Sequence, residues 1–342
     1  MEDKKIIEVE NLSVSYHTYA GEVQCVRDIS FQVHKGECLA IVGESGCGKT
    51  VTVKSLLGLI RPPYGEVKEK SRILIEGQDV TRFNEKEWSA FRGNKMAMIF
   101  QDALAALNPT MRIGKQIEEV LLNHRSISKK EANEMAIQML KCVGVPEPEK
   151  RVCQYPHEFS GGMRQRAMIA MMIANEPELL IADEPTTALD VTIQGQILDL
   201  MRELQKEKQM SLILVTHDLG VVAGMAQRVL VMYAGTVVEQ GEVREIFYHT
   251  KHPYTTALLK SQPSLLENKE KEMQVIEGMP PDLLNPPKGC AFCDRCKSAM
   301  NLCKERKPEL KEFEEGHFAA CWLYDEEVNS CLKEMEEAEI HG

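Results

Sequence analysis

No stretch of this 342-residue chain is apolar for long enough to cross a bilayer. The longest unbroken apolar run, AMIAMMIA from Ala167 to Ala174, is less than half of the roughly 20 residues that a membrane helix needs. The opening MEDKKIIEVENL carries charges and no apolar h-region, so no secretory signal is expected and the reducing cytosol is the expected compartment. An excess of positive charge is also missing. Lys and Arg number 41 against 52 Asp and Glu, a net charge of -11, which argues against a binder of the nucleic-acid backbone. The sequence has no internal repeat and no sustained heptad pattern, which sets aside solenoids and long coiled coils.

What is present suits an ordinary two-domain protein. Apolar residues make up 43% and charged residues 27%, enough to bury a core without covalent staples. Eleven cysteines in a reducing compartment read as thiols or metal ligands before disulfides. Part of the acidity is local. From Leu323 to Gly342, seven carboxylates face Lys333 alone, and this tail is expected to be solvated and mobile, with a docking role as the alternative.

The first eighty residues alternate as strands do (IIEVENLSVSY, VRDISFQV, SRILIEGQDV), with the turn signals HKGE and EGQD, and predict a mainly antiparallel sheet. Within them CLAIVGESGCGKT runs into VTVKSLLGLI, an apolar strand that enters a Gly-rich turn and leaves as a helix. Residues 103 to 175 are helical in pattern, with KEANEMAIQMLKCVG and MRQRAMIAMMIAN the clearest stretches. ELLIADE, SLILVTHD and QRVLVMYAG then return as buried strands around the helical VTIQGQILDLMRELQKEK, the β-α-β order of a parallel sheet. The division expected is 1–241 for this α/β unit with its helical insertion, 242–322 for an extension and 323–342 for the acidic tail. A helix is expected around VREIFYHTKHPYTTALLKSQPSLL, then a stiff linker at GMPPDLLNPPKGC, where four prolines fall close together.

Gly43 to Thr50, GESGCGKT, satisfies G-x-x-x-x-G-K-[ST] in full. The backbone NH groups of Gly43, Ser45, Gly46, Cys47 and Gly48 can turn inward around a phosphate, and Lys49 reaches the β and γ oxygens. Thr50 ligates Mg²⁺, and Val51 continues the helix whose positive end faces the ligand. Cys47 reads as a small residue used for its NH, with a reactive thiol as the alternative. A second apolar run ends in Asp183 and Glu184: the first is assigned to magnesium and the second to the attacking water. His217 ends the next strand, where it can contact the γ-phosphate. Farther along, Ser160, Gly161 and Gly162 form another anion nest at the start of a helix, with Arg164 and Arg166 behind it. One γ-phosphate needs one cradle and one cap. A cap offered to a nucleotide held by another subunit would let two chains sandwich two ATP molecules.

GESGCGKT, Gln101 in MIFQDALAALNP, EFSGGMRQR, LLIADEPTTALD and LVTHD, in this order and spacing, resemble the phosphate loop, Q-loop, signature, Walker B with D-loop, and switch histidine of an ABC ATPase over about residues 6 to 240. The resemblance implies an α/β, ABC-type P-loop NTPase: a RecA-like parallel-sheet core, an antiparallel β subdomain, an inserted helical subdomain and a small Cys-rich C-terminal extension. It further implies that Tyr16 stacks on adenine, that Gln101 couples magnesium and water to a transmembrane partner, and that Asp190 reaches across the dimer. ALNPTMRIGKQ, the EFSGGMRQR wording and the extension with His252, Pro253 and Tyr254 resemble more closely one of two paired ATPase subunits of an oligopeptide or dipeptide ABC importer. Such a subunit works at the cytoplasmic face of the membrane with a second ATPase, two permease chains and an extracytoplasmic solute-binding protein, and binds no nucleic acid. Import of nickel or another small solute is the near alternative. A soluble ABC ATPase of DNA repair or translation, or a redox sensor with an ATPase output, are alternatives of other classes. Met163 stands where the usual signature has Gln, a departure shared with this importer subunit type.

GCAFCDRCKSAMNLC places Cys290, Cys293, Cys296 and Cys303 close together, and Cys321 follows. Their number points to a metal, and tetrathiolate zinc and a [4Fe-4S] cluster both want four sulfurs. The importer family has a similar cysteine pattern, in some members with an iron-sulfur cluster. The resemblance matches it to Cys290, Cys296, Cys303 and Cys321, with Cys293 as a surplus or alternative ligand and Zn²⁺ as the alternative metal.

Overall fold

Alternating burial builds the first sheet. In β1 (Lys5–Thr18) the side chains of Ile7, Val9, Leu12 and Val14 are buried, while Glu8 and Glu10 between them are half-exposed, the pattern of a strand with one face on a core. β1 pairs antiparallel with β2 (Gly21–His34), β4 (Gly65–Val67) and β5 (Arg72–Ile75), and β5 turns into β6 (Gln78–Asp79). This structure, a computed structural model, describes residues 4–102, 106–187, 189–261, 275–325 and 328.

The second sheet follows from strands buried on both faces. β3 (Cys38–Val42), β7 (Met96–Ile99), β8 (Leu179–Asp183) and β9 (Ser211–Val215) have every residue buried, as parallel strands covered on two sides require. With β10 (Arg228–Tyr233) they run parallel in the order β10-β3-β9-β8-β7. The helix Lys49–Leu56 lies where Leu39, Ile41, Ile181 and Ile213 of this sheet meet Val9, Leu12 and Phe31 of the first, and its Leu56 is fully buried there. The other face receives the helical insertion. In its helix Lys129–Cys142, Ala132, Ala136 and Leu140 form a buried stripe at helical spacing. Ser128 and Glu131 close the start of that helix as a capping box, with Ser128 Oγ accepting from the Glu131 amide at 3.2 Å and Glu131 accepting from the Ser128 amide at 2.7 Å.

The C-terminal part departs from the sequence expectation in three ways. The single helix expected from residue 243 is two, Val243–Tyr248 and Pro253–Lys260. Pro253 cannot continue a helix but is suited to begin one, and His252 caps the second helix by accepting from the Tyr254 amide at 3.1 Å. The proline-rich stretch is not a spacer. The Leu283 carbonyl accepts from the Gln24 amide at 2.9 Å, and Ile276 and Leu283 pack against the third core, around Val229, Val231 and Tyr254. Finally, the extension adds to the main sheet. β11 (Thr236–Glu242) pairs antiparallel with β10, then with β13 (His317–Ala319), which pairs with β12 (Lys311–Glu314). The acidic tail beyond Asp325, Val328 apart, and the SQPSLLENKE stretch from Gln262 on lie outside the described residues. Among the described residues no helix is long and apolar enough to cross a membrane.

Candidate active site

β3 delivers the chain into the phosphate loop under tight steric limits. Gly43 sits at φ 149°, and a Cβ built there would lie 2.2 Å from the Met232 carbonyl oxygen. At Gly48, φ 103°, it would lie 2.5 Å from the Cys25 carbonyl oxygen. Only glycine fits both positions. Lys49 is buried, and its ammonium donates to the carbonyls of Gly43 at 2.7 Å and Glu44 at 3.0 Å, so the charge is held inside the loop. Ser45 and Gly46 at the tip are exposed, while Val51 is partly buried against the core shared by the two sheets. Cys47 is buried, and this pushes its thiol up, with Lys49 opposing the effect. A protonated thiol is a poor nucleophile.

The C-terminal ends of four parallel strands meet at this loop, the usual ligand edge of an α/β sheet. Asp183 closes β8 and accepts from Thr50 Oγ1 at 3.1 Å. Burial pushes its carboxyl above the ordinary carboxylate range against the Thr50 hydrogen bond, and the neighbouring Glu184 charge adds to the rise. A buried carboxylate beside a threonine hydroxyl is a suitable donor set for a hard divalent cation. Glu184 adopts φ 47°, a left-handed conformation costing a non-glycine residue roughly 1–3 kcal/mol. Its amide donates to the Val215 carbonyl of β9 at 2.9 Å. Its carboxylate accepts from Gln101 Nε2 at 3.2 Å and Thr187 Oγ1 at 2.9 Å, and His217 Nδ1 lies 3.5 Å away. Thus Gln101 after β7 and His217 after β9 converge on the carboxylate of Glu184 after β8.

The signature stands apart from this cluster. Ser160 is exposed and caps the helix Gly161–Ile173, its Oγ accepting from the Met163 amide at 3.4 Å. Among the described residues it makes no hydrogen bond to residues 43–50. Nothing lies within 4 Å of a Cβ built at the exposed Gly161, whereas one at Gly162 would come within 2.9 Å of Ile193 Cγ2. Ile193 belongs to the helix Val191–Lys208, whose start Asp190 caps by accepting from the Ile193 amide at 3.0 Å. Arg164 and Arg166 do not back the nest as the sequence suggests. Arg164 Nε donates to the Pro156 carbonyl at 2.7 Å, and Arg166 donates to the Val143 carbonyl and to Gln196, so both fasten the helix to its neighbours. Tyr16 is half-buried in β1 opposite Gly65, packed against the core shared by the sheets.

The five cysteines of the extension line one small cavity with His252, Phe292 and Trp322. Among the described residues, however, no three His, Cys, Asp or Glu side chains are grouped so as to hold a metal ion. The tetrathiolate set expected from the sequence, Cys290, Cys296, Cys303 and Cys321, is therefore not drawn together. Burial pushes the Cys290 thiol to about 12 and Cys321 to about 11, and raises Cys293 and Cys296. Two contacts at the loop escaped the sequence reading. The Glu44 amide donates to the hydroxyl of Tyr254 at 2.8 Å, and the Glu44 carboxylate meets Arg295. No local pattern could have signalled contacts across such sequence separations.

Comparison with known proteins agrees with this geometry. Residues 26–187 match the ABC transporter family, and residues 238–303 match the oligopeptide/dipeptide transporter C-terminal region. A dimeric ATP-binding cassette in a post-hydrolysis state, bound to ADP and Pi, superposes with a TM-score of 0.62 at 25% identity, covering 70% of this chain and 99% of that one. The chain belongs to the ABC transporter family of ATPases. Within it, the chain belongs with the oligopeptide and dipeptide transport ATP-binding proteins. The oligopeptide transport ATP-binding protein OppD of Bacillus subtilis is 54% identical over 93% of this chain and 89% of its own length. The dipeptide transport ATP-binding protein DppD of the same organism is 51% identical over 96% and 98%, and OppD of Salmonella typhimurium is 47% identical over 94% and 95%.

Proposed function

We propose that this chain is the ATP-hydrolysing subunit that powers import of dipeptides or oligopeptides, attached to the cytoplasmic face of the membrane through two permease chains that receive solute from an extracytoplasmic binding protein. The observation that carries this reading is a complete phosphate-loop and carboxylate site in a chain that matches peptide-transport ATPases over nearly its whole length. Residues 1–241 form the nucleotide unit in this reading, and 242–322 the family's extension.

Phosphoryl transfer asks a protein chiefly for positioning and electrostatics. Lys49 and the loop amides bind the phosphates, and Tyr16 supports the adenine. Thr50, Asp183 and Gln101 would hold Mg²⁺, which would supply neutralisation of charge on the phosphate oxygens. Glu184 orients water and takes its proton, and Gln101, Thr187 and His217 fix that carboxylate. Ser160, Gly161 and Gly162 cap the nucleotide of a second ATPase subunit, and Asp190 reaches across the same boundary. The exposure of Ser160 and the dimeric form of the related cassette support this pairing. The cysteine cavity takes a thiophilic metal, a [4Fe-4S] cluster before Zn²⁺, with Cys290, Cys296, Cys303 and Cys321 as ligands and Cys293 as the alternative. All five cysteines border one cavity, which supports it, although the ion would have to draw its ligands together there; a brown colour in anaerobically purified protein is its readout.

The test is peptide uptake by membranes carrying the cognate permeases. Uptake should require ATP and this chain. Glu184→Gln should keep ATP binding while hydrolysis and uptake fall by about 10²–10⁴, the scale of a lost general base. An equal loss of binding and turnover contradicts the assignment.

A further inference from the structure

Arg295 lies in the short helical turn Cys293–Arg295, flanked by two cysteines of the extension, and its target lies 251 positions away in the phosphate loop. Its guanidinium grips the Glu44 carboxylate with two bonds, Nη1 to Oε2 at 2.6 Å and Nη2 to Oε1 at 3.0 Å. Nη1 also donates to the Tyr233 hydroxyl at 3.2 Å, Nη2 to the Ile276 carbonyl at 3.0 Å and Nε to the Glu277 carbonyl at 3.0 Å. These contacts use every N–H donor an arginine has. The side chain is 6% exposed and packs over the rings of Tyr233 and Phe292. A fork with all donors committed has one geometry, and bidentate charge-assisted pairs are the strong ones.

Glu44 is held on its other side by the same extension, through the Tyr254 hydroxyl that its amide reaches. Its carbonyl accepts from Lys49. Displacing Glu44 therefore moves a ligand of the lysine that meets the phosphates. We propose that Arg295 is a positioning residue for the phosphate loop: through Glu44 it fixes the loop in its binding shape, so that the cysteine-bearing turn sets how tightly nucleotide is held. Coupling between sites is reciprocal, so nucleotide in the loop must equally steady the turn.

Two measurements on the full-length chain test this. Arg295→Gln should raise the dissociation constant and KM for ATP about tenfold, within the ordinary span of coupling between sites, while kcat at saturation stays within about twofold. Glu44→Gln should give the same loss, and the double variant no more than either single. A folded Arg295→Gln protein with lowered Tm and unchanged ATP affinity, or a doubled loss in the pair, overturns the proposal. The second measurement needs no variant. Mg-ADP should slow amide hydrogen exchange across residues 290–296 of the wild-type chain, and exchange there that ignores the nucleotide overturns the proposal even where Arg295→Gln fails to fold.

Discussion

At the scale of single residues the site holds opposed demands. Asp183, the carboxylate proposed to hold a divalent cation, is one whose charged form burial disfavours. Its raised pKa fixes the sign of a stability effect. Above that pKa the native state carries a buried charge that Thr50 and the nearby lysines only partly offset, and the penalty is relieved as pH falls and the carboxyl protonates. Asp183→Asn should therefore raise the Tm of the nucleotide-free protein at neutral pH and abolish Mg²⁺-dependent hydrolysis. Melting curves at descending pH should show the gain fading, and a gain that grows in acid contradicts the assignment. The sequence made Asp183, Glu184 and His217 readable, because each ends an apolar strand run. It could not show the left-handed turn at Glu184 or the bond from Thr187, since both depend on where β9 places the Val215 carbonyl.

At the scale of elements, the start of the helix Pro253–Lys260 rests on an uncharged imidazole. His252 is almost wholly buried and accepts from the Tyr254 amide, and burial pulls its pKa down to about 4, partly opposed by Glu239. The unfolded chain takes up this proton near pH 6.5 and the native state does not. The contribution of His252 is therefore complete above about pH 6.5 and is lost as pH falls toward 4. Asn accepts the same capping bond without titrating. Urea midpoints of His252→Asn should decline less than those of wild type between pH 6.5 and 4, and parallel declines contradict this account. Elements with a clear apolar pattern were readable in advance: β1 by its alternation, β8, β9 and β10 by their unbroken apolar runs, and the helices Lys129–Cys142, Gly161–Ile173 and Val191–Lys208 by their longer apolar stretches. β12 and β13 were not. They are four and three residues long, and β12 reads KEFE, with neither an apolar run nor clean alternation. Their partner strand, not their composition, makes them strands.

For the whole molecule, the separation of the Ser160 corner from the phosphate loop is the decisive arrangement. In the proposed reading a chain that carries a loop, a base and an exposed cap it does not use on itself calls for a companion. Ser160→Arg in this chain alone, within the assembled transporter, should lower ATP turnover by roughly tenfold or more while leaving this chain's own ATP binding intact. Photocrosslinking with an azido-ATP reads binding, and phosphate release reads turnover. Full turnover in the variant would mean that this corner closes over nothing. The division of labour proposed here rests on motifs legible in the sequence, because each has a fixed wording. The route from the cysteine-bearing turn to Glu44 has no wording, since it exists only after folding brings Arg295 to the loop.

The pairing of β13 with β11 also bears on how this protein could be shortened. Glu239 and Gln240 find their backbone partners in Phe318 and Ala319, and bare strand borders recruit other chains. A version cut after Gly241 would keep every nucleotide motif yet expose an unhemmed margin along the middle of β11. The β12–β13 pair is thus a selvedge that keeps the motor's fabric from fraying into its neighbours.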